Sequence, residues 1–231
     1  MFQLVIQYLI GLKMIQASWR FWIPMLFFCF SFGVDQISPP WGFVFTDWEG
    51  DPVDVIVYIP TGADKNTDIL MVIPGASRDT QRFHASWLSF AKEDTFVVVT
   101  IGARKKYFPD ELSYNAGGVI DGGGTLIKNK KWLFNVVEKV FDEVKTKHGL
   151  QTEKFHLFGH SAGGGFVHRY MLLMPNAPVV KAVAANPAFV TLPNQKENYP
   201  FGLKNLPIND KLINQWLGKD LALFLGEEDI G

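Results

Sequence analysis

Five short runs of almost unbroken apolar residues constrain this chain most: ILMVI (69 to 73), FVVVTI (96 to 101), FHLF (155 to 158), VVKAVAA (179 to 185) and LALFL (221 to 225). A strand with one face in water alternates apolar and polar residues, whereas a continuous run of this length belongs to a strand buried on both faces. Between the runs the spacing turns helical. Phe83, Trp87, Phe90 and Ala91 recur at helical intervals, as do Leu133, Val136, Val137, Val140, Phe141 and Val144, with Gly149 as a C-terminal stop. Strand and helix in alternation predict an α/β fold, a mostly parallel central sheet with helices on both faces. Val53 to Ile59 alternates between Pro52 and Pro60, which suits an early antiparallel strand. Residues 186–218 hold four prolines and little period, and read as a long loop or cap beside the sheet.

The 231 residues are 48% hydrophobic and 19% charged, enough apolar material for the core of one medium-sized domain. Lys plus Arg number 22 against 23 Asp plus Glu, a net charge of −1 that gives no electrostatic support to a nucleic-acid partner. Cys29 is the single cysteine, so neither a disulfide framework nor a cysteine-based zinc site is expected.

Residues 1–33 read as a targeting segment and 34–231 as the folded domain. After Arg20 runs FWIPMLFFCFSFGV, an apolar stretch of secretory length, and Ser31 and Gly33 supply small residues for cleavage after Gly33. Export follows, to the periplasm or the exterior. Translation from Met14 and an uncleaved membrane anchor are the alternatives, with a structural N-terminal helix as a third. Contact with a membrane is expected only through this segment. The residues before Cys29 are too large for a lipidation site.

At Phe155-His-Leu-Phe-Gly-His-Ser-Ala-Gly-Gly-Gly-Phe a strand pattern passes without a gap into a helix pattern, and the junction reads Gly159-His160-Ser161-Ala162-Gly163. A turn that sharp forces Ser161 to positive φ, tolerates only small neighbours, and needs Gly164 for close helix packing. It lifts the Ser161 hydroxyl over the first turn of a helix, where free N–H groups favour developing negative charge.

In this context the segment resembles the nucleophile elbow of the α/β-hydrolase superfamily, a likeness that covers most of residues 41–231. The resemblance implies that Ser161 is the catalytic nucleophile. Pro74-Gly75-Ala76 stands where the family has its oxyanion loop, so the N–H groups of Ala76 and Ala162 would form the hole. Arg78 and Trp87 match a Gly-x-x-Arg and tryptophan pattern of secreted esterases and polyester depolymerase-like members. The family's acid follows the last run, at Asp229 with Glu228 as fallback, and its histidine should come later still. The chain stops at Gly231 without one.

Serine needs such a base. Of the five histidines, His160 should turn away from the neighbouring hydroxyl, and His168 lies seven residues along the helix, about 10 Å off at ~1.5 Å per residue. His84, His148 and His156 read as structural or solvated. The expectation is therefore a truncated chain whose last strand, last helix and histidine are missing, and which is nearly inactive as it stands.

The predicted activity is hydrolysis of a small or polymeric carboxylic ester through an acyl-enzyme, with no cofactor and no metal. Loops at the carboxyl ends of the strands should supply substrate contacts, Tyr107 and Tyr114 after the fourth strand, Asn186 after the sixth, and Arg78 in the oxyanion loop. Arg78 either meets a substrate carboxylate or braces its loop through a carbonyl. The competing reading is an inactive hydrolase-fold binding module whose Trp41, Trp48, Trp87 and Trp216 hold an apolar, sugar or polymer ligand.

Overall fold

The computed structural model describes Val5, Tyr8, Leu9 and residues 41–226. Apart from those three residues, the targeting segment lies outside the described residues, as do Glu228 and Asp229. Each apolar run forms a strand. β1 (Trp41–Phe45) and β2 (Val53–Tyr58) come first, followed by β3 (Ile69–Ile73), β4 (Val97–Gly102), β5 (Phe155–His160), β6 (Val179–Ala185) and β7 (Leu221–Phe224). They build one sheet in the order β1-β2-β4-β3-β5-β6-β7. β2 is antiparallel to both β1 and β4, and every other pairing is parallel.

Strand periodicity divides the core between the two faces of the sheet. Ile69, Met71 and Ile73 join one cluster, with Val136, Val140 and Phe141 of α3 (Asn135–His148) and Phe166 and Tyr170 of α4 (Ala162–Leu173). Leu70 and Val72 point the other way, into a cluster with Trp87, Phe96, Phe158, Val183, Val5 and Leu9. This two-sided burial is the physical origin of the continuous apolar runs. Gly149 ends α3 as expected, at φ 67°.

Two elements differ from the sequence expectation. The helix expected around Phe83 to Ala91 is two, α1 (Thr80–Ala85) and α2 (Leu88–Asp94). The Ser86 hydroxyl donates to the Arg82 carbonyl at 2.9 Å and the Trp87 N–H to His84 at 3.1 Å, a tightened turn that closes α1. The 186–218 segment ends in α5 (Asp210–Leu217), whose Asn209 side chain accepts from the Leu212 N–H at 3.1 Å. Leu212, Ile213, Trp216 and Leu217 of α5 do fall at helical spacing, with Ile213 and Trp216 packed half-buried against the core, but the pattern is short and follows a stretch broken by four prolines. Among the described residues no helix is long and apolar enough to cross a membrane.

Candidate active site

Ser161 sits between β5 and α4 at φ 56°, ψ −120°, a region that residues with a Cβ enter only under strain. Its N–H donates to the Ala185 carbonyl at 2.9 Å, which pins the turn to β6. The glycines are dictated by contact. A Cβ on Gly159 would stand 2.1 Å from the Gly163 carbonyl oxygen, one on Gly163 2.2 Å from that of Ile73, and one on Gly164 2.7 Å from that of Ala185. The helix thus begins directly against β3 and β6. Ala162, its first residue, has an N–H with no partner inside the helix.

The loop after β3 lies alongside. A hydrogen bond of 3.0 Å from the Arg78 N–H to the Gly75 carbonyl closes a turn that leaves the Ala76 N–H without a backbone partner among the described residues. Gly75 is pressed so close that a Cβ there would be 3.6 Å from the Cβ of Ser161 and 3.1 Å from the Phe83 ring. Two side chains brace this loop from behind. The Tyr114 hydroxyl donates to the Pro74 carbonyl. Arg78 stacks its guanidinium 3.3 Å from the centre of the Tyr114 ring and donates to the Ala103 carbonyl at 3.1 Å. Burial lowers the Arg78 pKa from its ordinary value and raises that of Tyr114, which keeps the phenol a donor.

Ser161 opens onto a cleft of about 390 Å³ lined by Gly75, Ala76, Ser77, Arg82, Phe83, Ser86, Trp87 and His160. A hydroxyl beside two N–H groups in such a cleft has parts that, once a base is supplied, suit attack on a carbonyl and holding the resulting oxyanion. Among the described residues no group of three or more His, Cys, Asp or Glu side chains is placed to hold a metal ion.

The chain superposes on poly(aspartic acid) hydrolase-1 from Sphingomonas sp. KT-1 with a TM-score of 0.80 and 36% sequence identity, over 83% of this chain and 73% of that one. The chain belongs to the α/β-hydrolase superfamily. This hydrolase also matches the poly(3-hydroxybutyrate) depolymerase LpqC from Bordetella parapertussis, with a TM-score of 0.77 and 27% identity over 82% of this chain and 65% of that one. The fluorophosphonate-binding serine hydrolase FphF of Staphylococcus aureus shares the fold, with a TM-score of 0.53 and 17% identity over 80% of this chain and 78% of that one. No protein-family model and no curated protein matches the sequence.

The expected site residues of the hydrolase fall in different places. Ser161 and Ala76 line the cleft, and Ala162 follows Ser161 directly. Tyr114 does not line it, because its ring is only 2% exposed beneath the loop. Of the two roles open to Arg78, bracing through a carbonyl is the one the structure displays. Tyr107 lines a separate pocket of about 450 Å³ with Trp48 and Phe108. Asn186 ties β6 to the segment after β7: its N–H donates to Phe224 at 2.7 Å and its Oδ1 accepts from the Gly226 N–H at 2.7 Å. It therefore anchors the chain just before Asp229.

His160 lines the cleft with Ser161, its ring 6.4 Å from that of Phe83. His84, His156 and His168 are buried, and burial depresses the pKa of each. Arg169 is a residue that sequence reasoning missed. Fully buried, it donates to the Thr191 hydroxyl at 2.9 Å and to the carbonyls of Gly165 at 3.1 Å, Asn115 at 3.3 Å and Phe189 at 3.5 Å. It joins α4, the loop after β4 and the cap segment. The available signal was an arginine inside a helix with no other full charge, AGGGFVHRYMLL.

Proposed function

We propose that this hydrolase cleaves carboxylic esters, small or polymeric, by acyl transfer through Ser161. The carrying observation is a serine at φ 56° on a helix N-terminus, lining a cleft with the Gly75–Ala76 backbone pressed close beside it. The Ser161 oxygen attacks the ester carbonyl carbon, its proton passes to a base, and the N–H groups of Ala76 and Ala162 hold the oxyanion. Collapse expels the alcohol, which takes the proton, and leaves an acyl-serine. Water then adds to that carbonyl, and the acid departs with Ser161 restored.

In this proposal the base is a histidine that follows Asp229, oriented by that carboxylate, and the 231 residues alone are nearly inactive. The burial of His84, His156 and His168 supports a base from elsewhere. Of the two nearer relatives, one is named for poly(aspartic acid) and the other for poly(3-hydroxybutyrate), which favours a polymer. A fluorophosphonate should label the full-length chain at Ser161 and leave Ser161→Ala unlabelled. Absence of label would favour the binding module. Equal ester turnover by residues 34–231 and by the longer chain would place the base within these residues, His160 being the one already in the cleft.

Export is part of the proposal and rests on the signal-peptide shape of residues 1–33. One observation favours retention of the segment instead: Val5 and Leu9 are 1% and 2% exposed against the sheet, and Lys181 donates to the Tyr8 carbonyl at 2.8 Å. The N-terminal sequence of the mature protein decides between a chain beginning after Gly33 and one that keeps Leu9.

A further inference from the structure

We infer that Arg82 makes this hydrolase selective for substrates carrying a carboxylate close to the scissile carbonyl. The inference rests on Ser161 being the nucleophile, and it decides between the anionic and neutral acyl chains suggested by the two relatives. Of the described residues lining the Ser161 cleft, Arg82 alone bears a permanent charge, and no carboxylate is among them. The other guanidinium of this region is already engaged, since Arg78 is committed to Tyr114 and the Ala103 carbonyl. Arg82 is exposed, and no ion pair engages it among the described residues.

Its backbone is held in place. The Asp79 side chain accepts from the Arg82 N–H at 3.0 Å, and the Arg82 carbonyl accepts from the Ser86 N–H at 3.1 Å and the Ser86 hydroxyl at 2.9 Å. One residue on, Phe83 abuts Gly75, which seats α1 against the oxyanion loop. Arg82 sits on a short fixed helix that lines the same cleft as the reacting serine, and a guanidinium offers a planar fork of donors to a carboxylate. The N-terminus of α4 adds a positive field of the same sign across the cleft. Beside His160 and small residues, the cleft holds Phe83 and Trp87, apolar surface that suits the carbon chain between carbonyl and carboxylate.

The test uses the full-length chain and two esters of matched length, monoethyl succinate and ethyl butyrate, followed by proton release. The wild type should prefer the succinate, less so as salt is added. Arg82→Gln should lower the succinate-to-butyrate ratio of kcat/KM by about ten- to a hundredfold, the range for one charge-assisted contact. Arg82→Lys should restore part of it. Fluorophosphonate labelling of Ser161 in each variant reports on the nucleophile separately. A ratio unchanged by Arg82→Gln, with labelling intact, overturns the role of Arg82 and leaves the esterase reading standing. Loss of labelling in the wild type overturns both.

Discussion

At the scale of single residues, the proposed role of Ser161 gives its backbone strain a purpose, the presentation of a nucleophile. Ser161→Gly removes the Cβ that disfavours φ 56°, so it should stabilise the fold by about 1 kcal/mol while abolishing fluorophosphonate labelling. Urea denaturation with a labelling assay checks both halves. Glycine substitutions separate two causes. Gly163→Ala places a methyl 2.2 Å from the Ile73 carbonyl oxygen, which is backbone in a central strand and cannot swing aside. A loss of about 3 kcal/mol or more is expected, with a parallel loss of activity because β3 leads into the oxyanion loop. Gly149→Ala meets nothing within 4 Å and suffers only from φ 67°, so about 1 kcal/mol should be lost and activity kept.

At the scale of elements, the oxyanion loop after β3 is held by partners from the far side of β4. Tyr114→Phe leaves the Pro74 carbonyl without its buried donor, and about 1–3 kcal/mol of stability should go with it. Because that carbonyl lies two residues before Ala76, the N–H proposed as an oxyanion donor should drift. The expected kinetic signature is a fall in kcat with KM little changed, since the hole binds the transition state rather than the substrate. A rise in KM alone would mean that Tyr114 serves substrate binding after all.

At the scale of the whole molecule, buried histidines should make the fold sensitive to acid, His84 and His168 most of all. Burial pushes His84 from the ordinary 6.5 to about 4 and does the same to His168, where the neighbouring Arg169 charge adds to the effect. Between pH 4 and 6.5 the unfolded chain binds these protons and the folded one does not, so stability rises with pH across that window. It is fully present above pH 6.5 and is lost as pH falls toward 4. Tm should therefore decline on acidification below pH 6.5, and His84→Gln together with His168→Phe should flatten the slope. A slope unchanged in the double variant would assign acid lability to other groups.

The sheet and the elbow were legible because both are written in short stretches of chain. Burial on both faces leaves its mark as ILMVI and FVVVTI, and the sharp turn at Ser161 demands Gly159, Gly163 and Gly164 within six residues. Which side chains meet around Ser161 was not legible. Those contacts arise where the loop after β3, helix α1 and the loop after β4 converge, and that convergence depends on the strand order β4-β3-β5. Tyr114 read as a substrate contact, and Arg78 as either a substrate contact or a brace, until the fold placed the Tyr114 ring under the Arg78 guanidinium. Arg82 carries no pattern in the sequence, and only the packing of α1 against Gly75 brings it to the cleft. Arg169 shows the same division, a lone charge in an apolar helix whose four acceptors lie up to 54 positions away along the chain. Local periodicity reports burial and backbone strain, but it carries no information on partners that the chain joins only by folding.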